Sequence, residues 1–368
     1  MQAAVSDGVF PGGVLAVRIA GELRCLSAVG RLSFDATSRP VGPSTIYDLA
    51  SLTKPLVTVT SIVRLVQQGQ LELDRPIGNV LAELADCDAG RATLRDLLNH
   101  SAGLPGWRPL YERLESKGLV AGASTPDAIR RGMLQLIREE PLIYTRGERS
   151  LYSDLGFILL GLAIERVSGV ALDRFYRTAV TEPLGCQALH FRPCVKDRPH
   201  AGGVVPDDLD HVAPTEWDEW RGRQLHGEVH DENAASLGGV AGHAGLFGTA
   251  EGVLAISGVW RNARCGKGSW LEPTLVKEFT SACRGIPQSS WALGWDTPSA
   301  PSSSGTYFSL ESFGHLGYTG TSLWIDPTKE LEVLLLSNRV HPNRKNEKIR
   351  AFRPLIHDLA VKTFGCVN

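Results

Sequence analysis

Apolar, β-prone segments stand at both ends of this chain, and a helical middle separates them. Residues 13–19 and 23–29 alternate around Ala20-Gly21-Glu22, the pattern of an N-terminal β-hairpin. Residues 324–326 and 332–336 read as neighbouring strands near the other end, followed by a closing helix over 352–364. Between them, residues from about 77 to 200 are helix-rich, with clear periodicity over 126–139 and 156–167. Such a pattern is satisfied by one antiparallel sheet, built from both chain ends and flanked by helices, with an inserted helical lobe. The expected class is α/β in the broad α+β sense. Residues 1–76 and 240–368 would form the sheet lobe, and 77–239 a mainly helical lobe with a long polar loop at about 196–238. A cleft between lobes is where a ligand is expected.

Ser51-Leu52-Thr53-Lys54 follows Tyr47-Asp48-Leu49-Ala50 and precedes residues 57–68, whose apolar side chains recur at helical spacing. A serine three residues before a lysine on a helix puts both on one face, roughly 5–6 Å apart between Cβ atoms. That brings an amine to a hydroxyl. Serine needs an adjacent base to act as a nucleophile, and a buried lysine that has lost its proton supplies one. Backbone N–H groups at a helix start can also hold an oxyanion. The competing reading makes Ser51 a plain helix cap, so further motifs decide.

Tyr152-Ser153-Asp154 leads into the apolar run 155–161. A tyrosine on that turn can aim its phenol into a cleft, where a lysine ammonium favours the phenolate and makes a proton shuttle. A packed ring with a bonded hydroxyl is the ordinary alternative. Gly314-His315-Leu316-Gly317-Tyr318-Thr319-Gly320-Thr321 precedes Ser322-Leu323-Trp324-Ile325. Glycines at every third position ahead of a β-prone run fit a strand that another segment approaches closely. Beside a nucleophile, such an edge can give an N–H to an oxyanion and pair with an extended substrate.

S-x-x-K, then Y-S-D about a hundred residues later, then H-x-G near the end resemble the penicillin-binding protein and class C β-lactamase superfamily. Pro11-Gly12-Gly13, Leu97-Leu98-Asn99-His100-Ser101-Ala102-Gly103-Leu104-Pro105, Pro183-Leu184-Gly185 and Gly242-His243-Ala244-Gly245-Leu246-Phe247 add to the likeness. The resemblance implies a β-lactamase/transpeptidase-like fold and acyl transfer through a covalent acyl-enzyme, with no cofactor. Ser51 would attack, while Lys54 and Tyr152 would share the base and acid work. The Ser51 and Tyr318 N–H groups would form the oxyanion hole. His315 would orient the substrate or tune the Tyr152–Lys54 pair, with Asp154 and Gly317 on the substrate side; His100 would buttress the cleft wall.

Two departures matter. Leu316 stands where the family usually carries Thr, which removes a hydroxyl that would meet a substrate carboxylate and weakens a β-lactamase or D,D-peptidase reading. Asp154 replaces the commoner Asn, and a carboxylate near Lys54 favours the charged ammonium. A narrower resemblance lies in Ala213-Pro214-Thr215-Glu216, Gly227-Glu228-Val229-His230-Asp231-Glu232-Asn233-Ala234 and Ser337-Asn338-Arg339-Val340-His341-Pro342. These look like a subgroup of peptidoglycan-recycling amidases and esterase-like proteins. Its amidases cut between N-acetylmuramic acid and the L-alanine of the stem peptide. An amidase or peptidase on peptidoglycan fragments therefore leads, with a small acyl or muropeptide substrate. A carboxylesterase of the β-lactamase-like type, with weak β-lactamase activity, comes second. A non-catalytic binding protein on the same fold comes third.

His226, Glu228, His230, Asp231 and Glu232 are the densest group of metal-ligand types. No H-E-x-x-H and no helical apolar face accompany them, so no metal is expected. Glu228, His230 and Asp231 are expected to line the substrate side of the cleft, with a solvated structural loop as the alternative. The 38 basic and 40 acidic side chains are interspersed, which gives no field for nucleic acid or a membrane surface. Seven cysteines, odd in number and without C-x-x-C, fit reduced thiols and a cytoplasmic setting. No signal-peptide pattern marks residues 1–10, and no apolar run nears the about 20 residues of a membrane span.

Overall fold

A computed structural model describes residues 1–193, 209–268, 270–283 and 285–364. Its strands are, in chain order, β1 (Gly12–Ile19), β2 (Glu22–Gly30), β3 (Tyr47–Asp48), β4 (Leu189–Phe191), β5 (Trp217–Asp218), β6 (Arg223–Gln224), β7 (Leu246–Gly248), β8 (Phe313–Leu316), β9 (Ser322–Asp326) and β10 (Leu331–Ser337). Five form an antiparallel sheet in the order β2-β1-β10-β9-β8. The N-terminal hairpin thus joins the last three strands, Gly13 facing Ser337 and Ile19 facing Leu331. One sheet from both chain ends is what the strand pattern predicts. A second sheet, β3-β7-β4, and the β5-β6 ladder are made of strands two or three residues long. Such strands are too short to show a period of two, so the sequence does not announce them.

The central strands are apolar on both faces because both faces are covered. Val14, Ala16, Leu334 and Leu336 enter the main core with Leu323 and Ile325. Leu15, Val17, Val333 and Leu335 form a second core with Ile356, Ala360 and Val361 of the helix Ile349–Phe364. Full burial of each large apolar side chain contributes roughly 1.5–3 kcal/mol. The helix Asp154–Ser168 runs through the main core, and Leu155 to Ile164 are all buried. Ser153 caps its start by accepting the Gly156 N–H, and Gly169 at φ 72° ends it in the left-handed region. Among the described residues, no single helix is long and apolar enough to cross a membrane.

Two sequence expectations change. Residues 314–326 are not one glycine-led strand but β8 and β9 joined by a turn, closed by Gly317 N–H donating to Thr321 O at 2.8 Å. The polar stretch is not a featureless loop either. Its described part holds a 3-10 turn (Leu209–His211), the β5-β6 ladder and the helix Glu232–Ser236. Its residues 196–208, with Cys194 and Cys366, lie outside the described residues.

Candidate active site

Ser51 lies in a 3-10 turn, Ala50–Leu52, directly after β3. Lys54 opens a π-helical segment, Lys54–Val59, that passes into the α-helix Thr60–Gln67. Widened turns of that kind recur at functional sites. Ala50 has a φ of 47°, a strained value for a residue with a side chain. The Asp48 carboxylate secures it, accepting the Ala50 N–H at 2.8 Å and the His230 N–H at 2.7 Å.

Lys54 is fully buried, and its Nζ has three acceptors. They are Ser51 Oγ at 3.0 Å, Asp154 Oδ1 at 2.6 Å and the His243 carbonyl at 3.1 Å. Together they use all three donors of an ammonium. Burial on its own would depress the Lys54 pKa, but Asp154 and Tyr152 outweigh it and leave the pKa above its ordinary value. A lysine held this way keeps its proton, in the direction that a carboxylate at position 154 favours, and does not rest as a neutral amine. Tyr152 sits with its ring centroid 4.8 Å from Nζ, and its phenol interacts with Lys54 and Ser51. Burial, joined by the Asp154 charge, raises the Tyr152 pKa against the pull of Lys54 and Ser51, so the resting group is a phenol and not the expected phenolate. Ser51, Lys54 and Tyr152 form one coupled unit whose protons belong to the group.

The Tyr152 ring is boxed by His100, Trp291 and His315, with centroids at 4.7, 5.4 and 5.9 Å. His100 Nδ1 accepts the Ser153 N–H at 3.1 Å, which assigns its proton to Nε2. His315 Nδ1 lies 2.8 Å from the Leu316 carbonyl, which assigns the proton to Nδ1 and leaves Nε2 a bare lone pair. That buried Nε2 has no hydrogen-bond partner among the described residues. Burial, reinforced by the Lys54 charge, holds both imidazoles neutral and brings the His315 pKa down to about 3. His100 also bonds the Tyr152 segment through its carbonyl, which accepts the Leu151 N–H at 2.9 Å. Trp291 carries no motif, and the sequence offers no signal for it.

The β8-β9 turn is seated on the nucleophile turn. A Cβ on Gly317 would lie 2.6 Å from the Leu49 carbonyl and 2.0 Å from Thr321 Oγ1, so only glycine fits. Thr319 Oγ1 donates to the Asp48 carbonyl at 2.7 Å, and Thr321 Oγ1 to the Leu49 carbonyl at 3.1 Å. Tyr318 projects from this turn, its residue 48% exposed, with the His230 ring at 5.6 Å and the Arg339 guanidinium at 4.4 Å.

Glu228, His230 and Asp231 do not stand free in the way a substrate ligand would. Glu228 pairs with Arg223 at 2.7 and 2.9 Å, and His230 Nε2 meets Glu216 Oε1 at 2.8 Å. Arg344 joins Glu216 to Glu232. Asp231 caps the helix Glu232–Ser236 through the Ala234 N–H and holds His243 Nε2 at 2.7 Å. His226 Nε2 is spent on the Val212 carbonyl at 2.9 Å. Among the described residues, no three metal-binding side chains converge. His243 gains a part that its sequence position does not announce, because its carbonyl is the third acceptor of Lys54.

A family model described as Beta-lactamase matches residues 1–357. The chain belongs to the beta-lactamase family. It is 32% identical over 315 residues to an Escherichia coli (strain K12) protein named "Putative D-alanyl-D-alanine carboxypeptidase", covering 81% of this chain and 70% of that protein. A Salmonella agona (strain SL483) protein of the same name is 31% identical over 328 residues, covering 83% of this chain and 72% of that one. In structure the chain is similar to EstCE1, described as a hydrolase with promiscuous acyltransferase activity, with a TM-score of 0.71, 21% identity and 96% of each chain covered. It is also similar to a class C beta lactamase from Rhodobacter sphaeroides, with a TM-score of 0.69, 19% identity and 97% of each chain covered. At such identities the structural likenesses speak for the fold. With the family match and the sequence relatives, this beta-lactamase-family protein is a serine hydrolase.

Proposed function

We propose that this hydrolase cleaves an amide bond in peptidoglycan-derived peptide fragments through an acyl-enzyme on Ser51. The carrying observation is the Lys54 ammonium, whose donors hold Ser51 Oγ and leave Tyr152 to exchange its proton. The reactive state is the one in which the Ser51–Lys54–Tyr152 unit has lost a proton. Ser51 Oγ then attacks the carbonyl carbon as its own proton passes to the Tyr152 oxygen, and the π pair moves onto the carbonyl oxygen. The Ser51 and Tyr318 N–H groups hold that oxygen; losing one such donor typically costs on the order of 10²–10³ in rate. Collapse breaks the C–N bond, and Tyr152 hands its proton to the departing amine. Water then attacks the ester and gives Tyr152 a proton, which Ser51 takes as the acid leaves. Lys54, kept charged by Asp154, lowers the cost of negative charge on Tyr152 throughout. The bare Nε2 of His315 accepts a substrate N–H beside Tyr152, and Gly317 lets the β8-β9 turn lie close enough to serve Tyr318.

The carboxypeptidase name of the relatives supports a peptide substrate. Leu316 in place of a threonine points away from a terminal carboxylate and toward an internal amide, such as the one joining muramic acid to L-alanine. The test is mass spectrometry of products from N-acetylmuramyl-L-Ala-D-isoGln with wild type and Ser51→Ala. A D-Ala-D-Ala peptide and p-nitrophenyl butyrate run in parallel. Dipeptide release by wild type alone supports the amidase. Release of D-Ala alone makes the enzyme a carboxypeptidase, and ester cleavage alone makes it a carboxylesterase.

A further inference from the structure

Trp107, Tyr111 and Trp220 form an aromatic patch that the reaction described above does not use. Trp107 is 41% exposed, and Tyr111 and Trp220 are partly exposed. The Tyr111 ring lies 6.5 Å from that of Trp107 and 4.6 Å from that of Trp220. Adjoining, partly exposed rings, unlike a single exposed side chain, make the kind of apolar surface that marks a contact site.

Two tethers bind the patch to the reacting groups. The carbonyl of Gly106, the residue before Trp107, accepts the Asp154 N–H at 2.8 Å, and Asp154 holds Lys54. Gly106 is also packed on Tyr152, whose carbonyl a Cβ there would approach to 3.0 Å. On the other side, Asn233 accepts the Tyr111 N–H at 3.0 Å and donates to the Arg108 carbonyl at 2.9 Å. Asn233 lies two residues beyond Asp231, which holds His243 and feels the Lys54 charge. The patch is thus linked through hydrogen bonds to the segments that carry Asp154 and Asp231.

The rim of the patch carries two guanidiniums that are already paired, Arg108 with Glu140 at 3.3 Å and Arg221, 5.6 Å from the Trp220 ring centroid, with Asp218 at 2.8 Å, and beside them carboxylates. Tyr111 donates to Glu112 at 3.0 Å and Trp220 Nε1 to Glu115 at 3.1 Å. Glu112 and Glu115 are exposed. Burial, and then Glu112 and Glu232, push the Tyr111 phenol up to about 12. Carboxylates of this kind repel an anionic ligand and offer nothing to a hydrocarbon chain. They accept hydrogen bonds from hydroxyls, while the negative faces of the rings receive polarised C–H groups. A ligand with an apolar C–H face and a fringe of hydroxyl donors is a pyranose. In a muramyl peptide the lactyl carboxyl is tied up in the amide, so the sugar arrives uncharged.

We infer that the Trp107–Tyr111–Trp220 patch is a sugar subsite that takes the pyranose ring attached to the scissile acyl group. It rests on the muropeptide reading above and adds which part of the substrate is recognised away from the bond that breaks. It makes the enzyme selective for sugar-bearing over sugarless peptides.

The test has a kinetic arm and a binding arm. Wild type, Trp107→Ala and Trp107→Phe are assayed on N-acetylmuramyl-L-Ala-D-isoGln and on D-lactoyl-L-Ala-D-isoGln, which lacks the sugar. Trp107→Ala is expected to lose about tenfold more kcat/KM on the sugar-bearing substrate, with Trp107→Phe restoring most of it. Glu112→Gln, at an exposed position, is expected to show a smaller loss of the same selectivity. In the binding arm, saturation-transfer NMR follows N-acetylmuramic acid with Ser51→Ala and with Ser51→Ala carrying Trp107→Ala and Trp220→Ala. Transfer to the ring C–H protons is expected in the first protein and not in the second. Equal losses on both substrates, or sugar binding that survives loss of both tryptophans, overturn the subsite. Tryptophan-dependent sugar binding without dipeptide release keeps the subsite and sinks the amidase. Dipeptide release without any effect of Trp107 on selectivity does the reverse.

Discussion

Two regions of this hydrolase are built from nearly the same side chains and use them in opposite ways. Around Lys54 stand a carboxylate, a tyrosine, two neutral imidazoles and a serine; around Arg344 stand two carboxylates, an imidazole and, across His230, another tyrosine. The Arg344 region is closed, since Glu216 is shared by His230 and Arg344, and Glu232 completes the fork. The Lys54 region is left open at particular atoms. Ser51 Oγ accepts one N–H and keeps its own proton to give, and His315 Nε2 is buried with nothing to accept. Residue type does not separate a reacting site from a scaffold. What differs between these two regions is hydrogen-bonding capacity left unspent beside the nucleophile.

The largest test of that contrast is Ser51→Ala. Turnover of p-nitrophenyl butyrate is expected to fall by roughly 10⁴-fold or more, with complete loss of labelling by a fluorophosphonate. Labelling that persists would put the nucleophile elsewhere. Next comes Asp154→Asn. Asp154 raises the Lys54 pKa, so the coupled unit gives up its proton at higher pH in wild type. Without that carboxylate the proton leaves more easily, and the ascending limb of kcat/KM against pH moves to lower pH by about one unit. A limb that stays in place or moves up would show that Asp154 does not set the protonation of Lys54.

The same contrast explains what was legible in the sequence. Ser51, Lys54 and Tyr152 can be read because helical spacing and a turn before an apolar helix are local signals. The five-stranded sheet can be read because β1, β9 and β10 are long enough to show their apolar pattern. Gly317 is legible as a close approach, although what approaches it, the Leu49 carbonyl, is distant in sequence. Protonation is legible only in part, since Asp154 in the second motif already favours an ammonium at Lys54. Whether Lys54 is an amine or an ammonium depends on Asp154 and His243, 100 and 189 residues away. The partners of Glu228, His230 and Asp231 are unreadable for a similar reason. A polar stretch looks identical from sequence whether its groups face a substrate or each other.

Glu216→Gln probes the closed region. Burial raises the Glu216 pKa, but His230 and Arg344 outweigh it and bring it from 4.5 to about 2. Because the folded pKa is depressed, this stabilisation is complete above pH 4.5 and is lost as pH falls toward about 2. The variant is expected to lose about 1–3 kcal/mol at neutral pH, since it leaves His230 and the partly solvent-screened Arg344 without their shared carboxylate. It should also lose part of the acid dependence of unfolding. Denaturant melts between pH 2 and 7 measure both. A large drop in kcat with unchanged stability would move this network into the reacting site and erase the distinction between the two regions.

The smallest expected effect falls on Glu228, and it bears most directly on how far sequence alone can be trusted here. Arg223, its partner, has a side chain 55% exposed, whereas the Glu228 side chain is 8% exposed. A pair with one end in solvent is worth about 0–1 kcal/mol and weakens with added salt. Glu228→Gln is therefore expected to shift the unfolding midpoint slightly, less so at high ionic strength, with no change in KM for the muramyl dipeptide. If KM instead rises while the midpoint holds, Glu228 leaves Arg223 for the substrate, and the polar stretch lines the cleft as its composition implies.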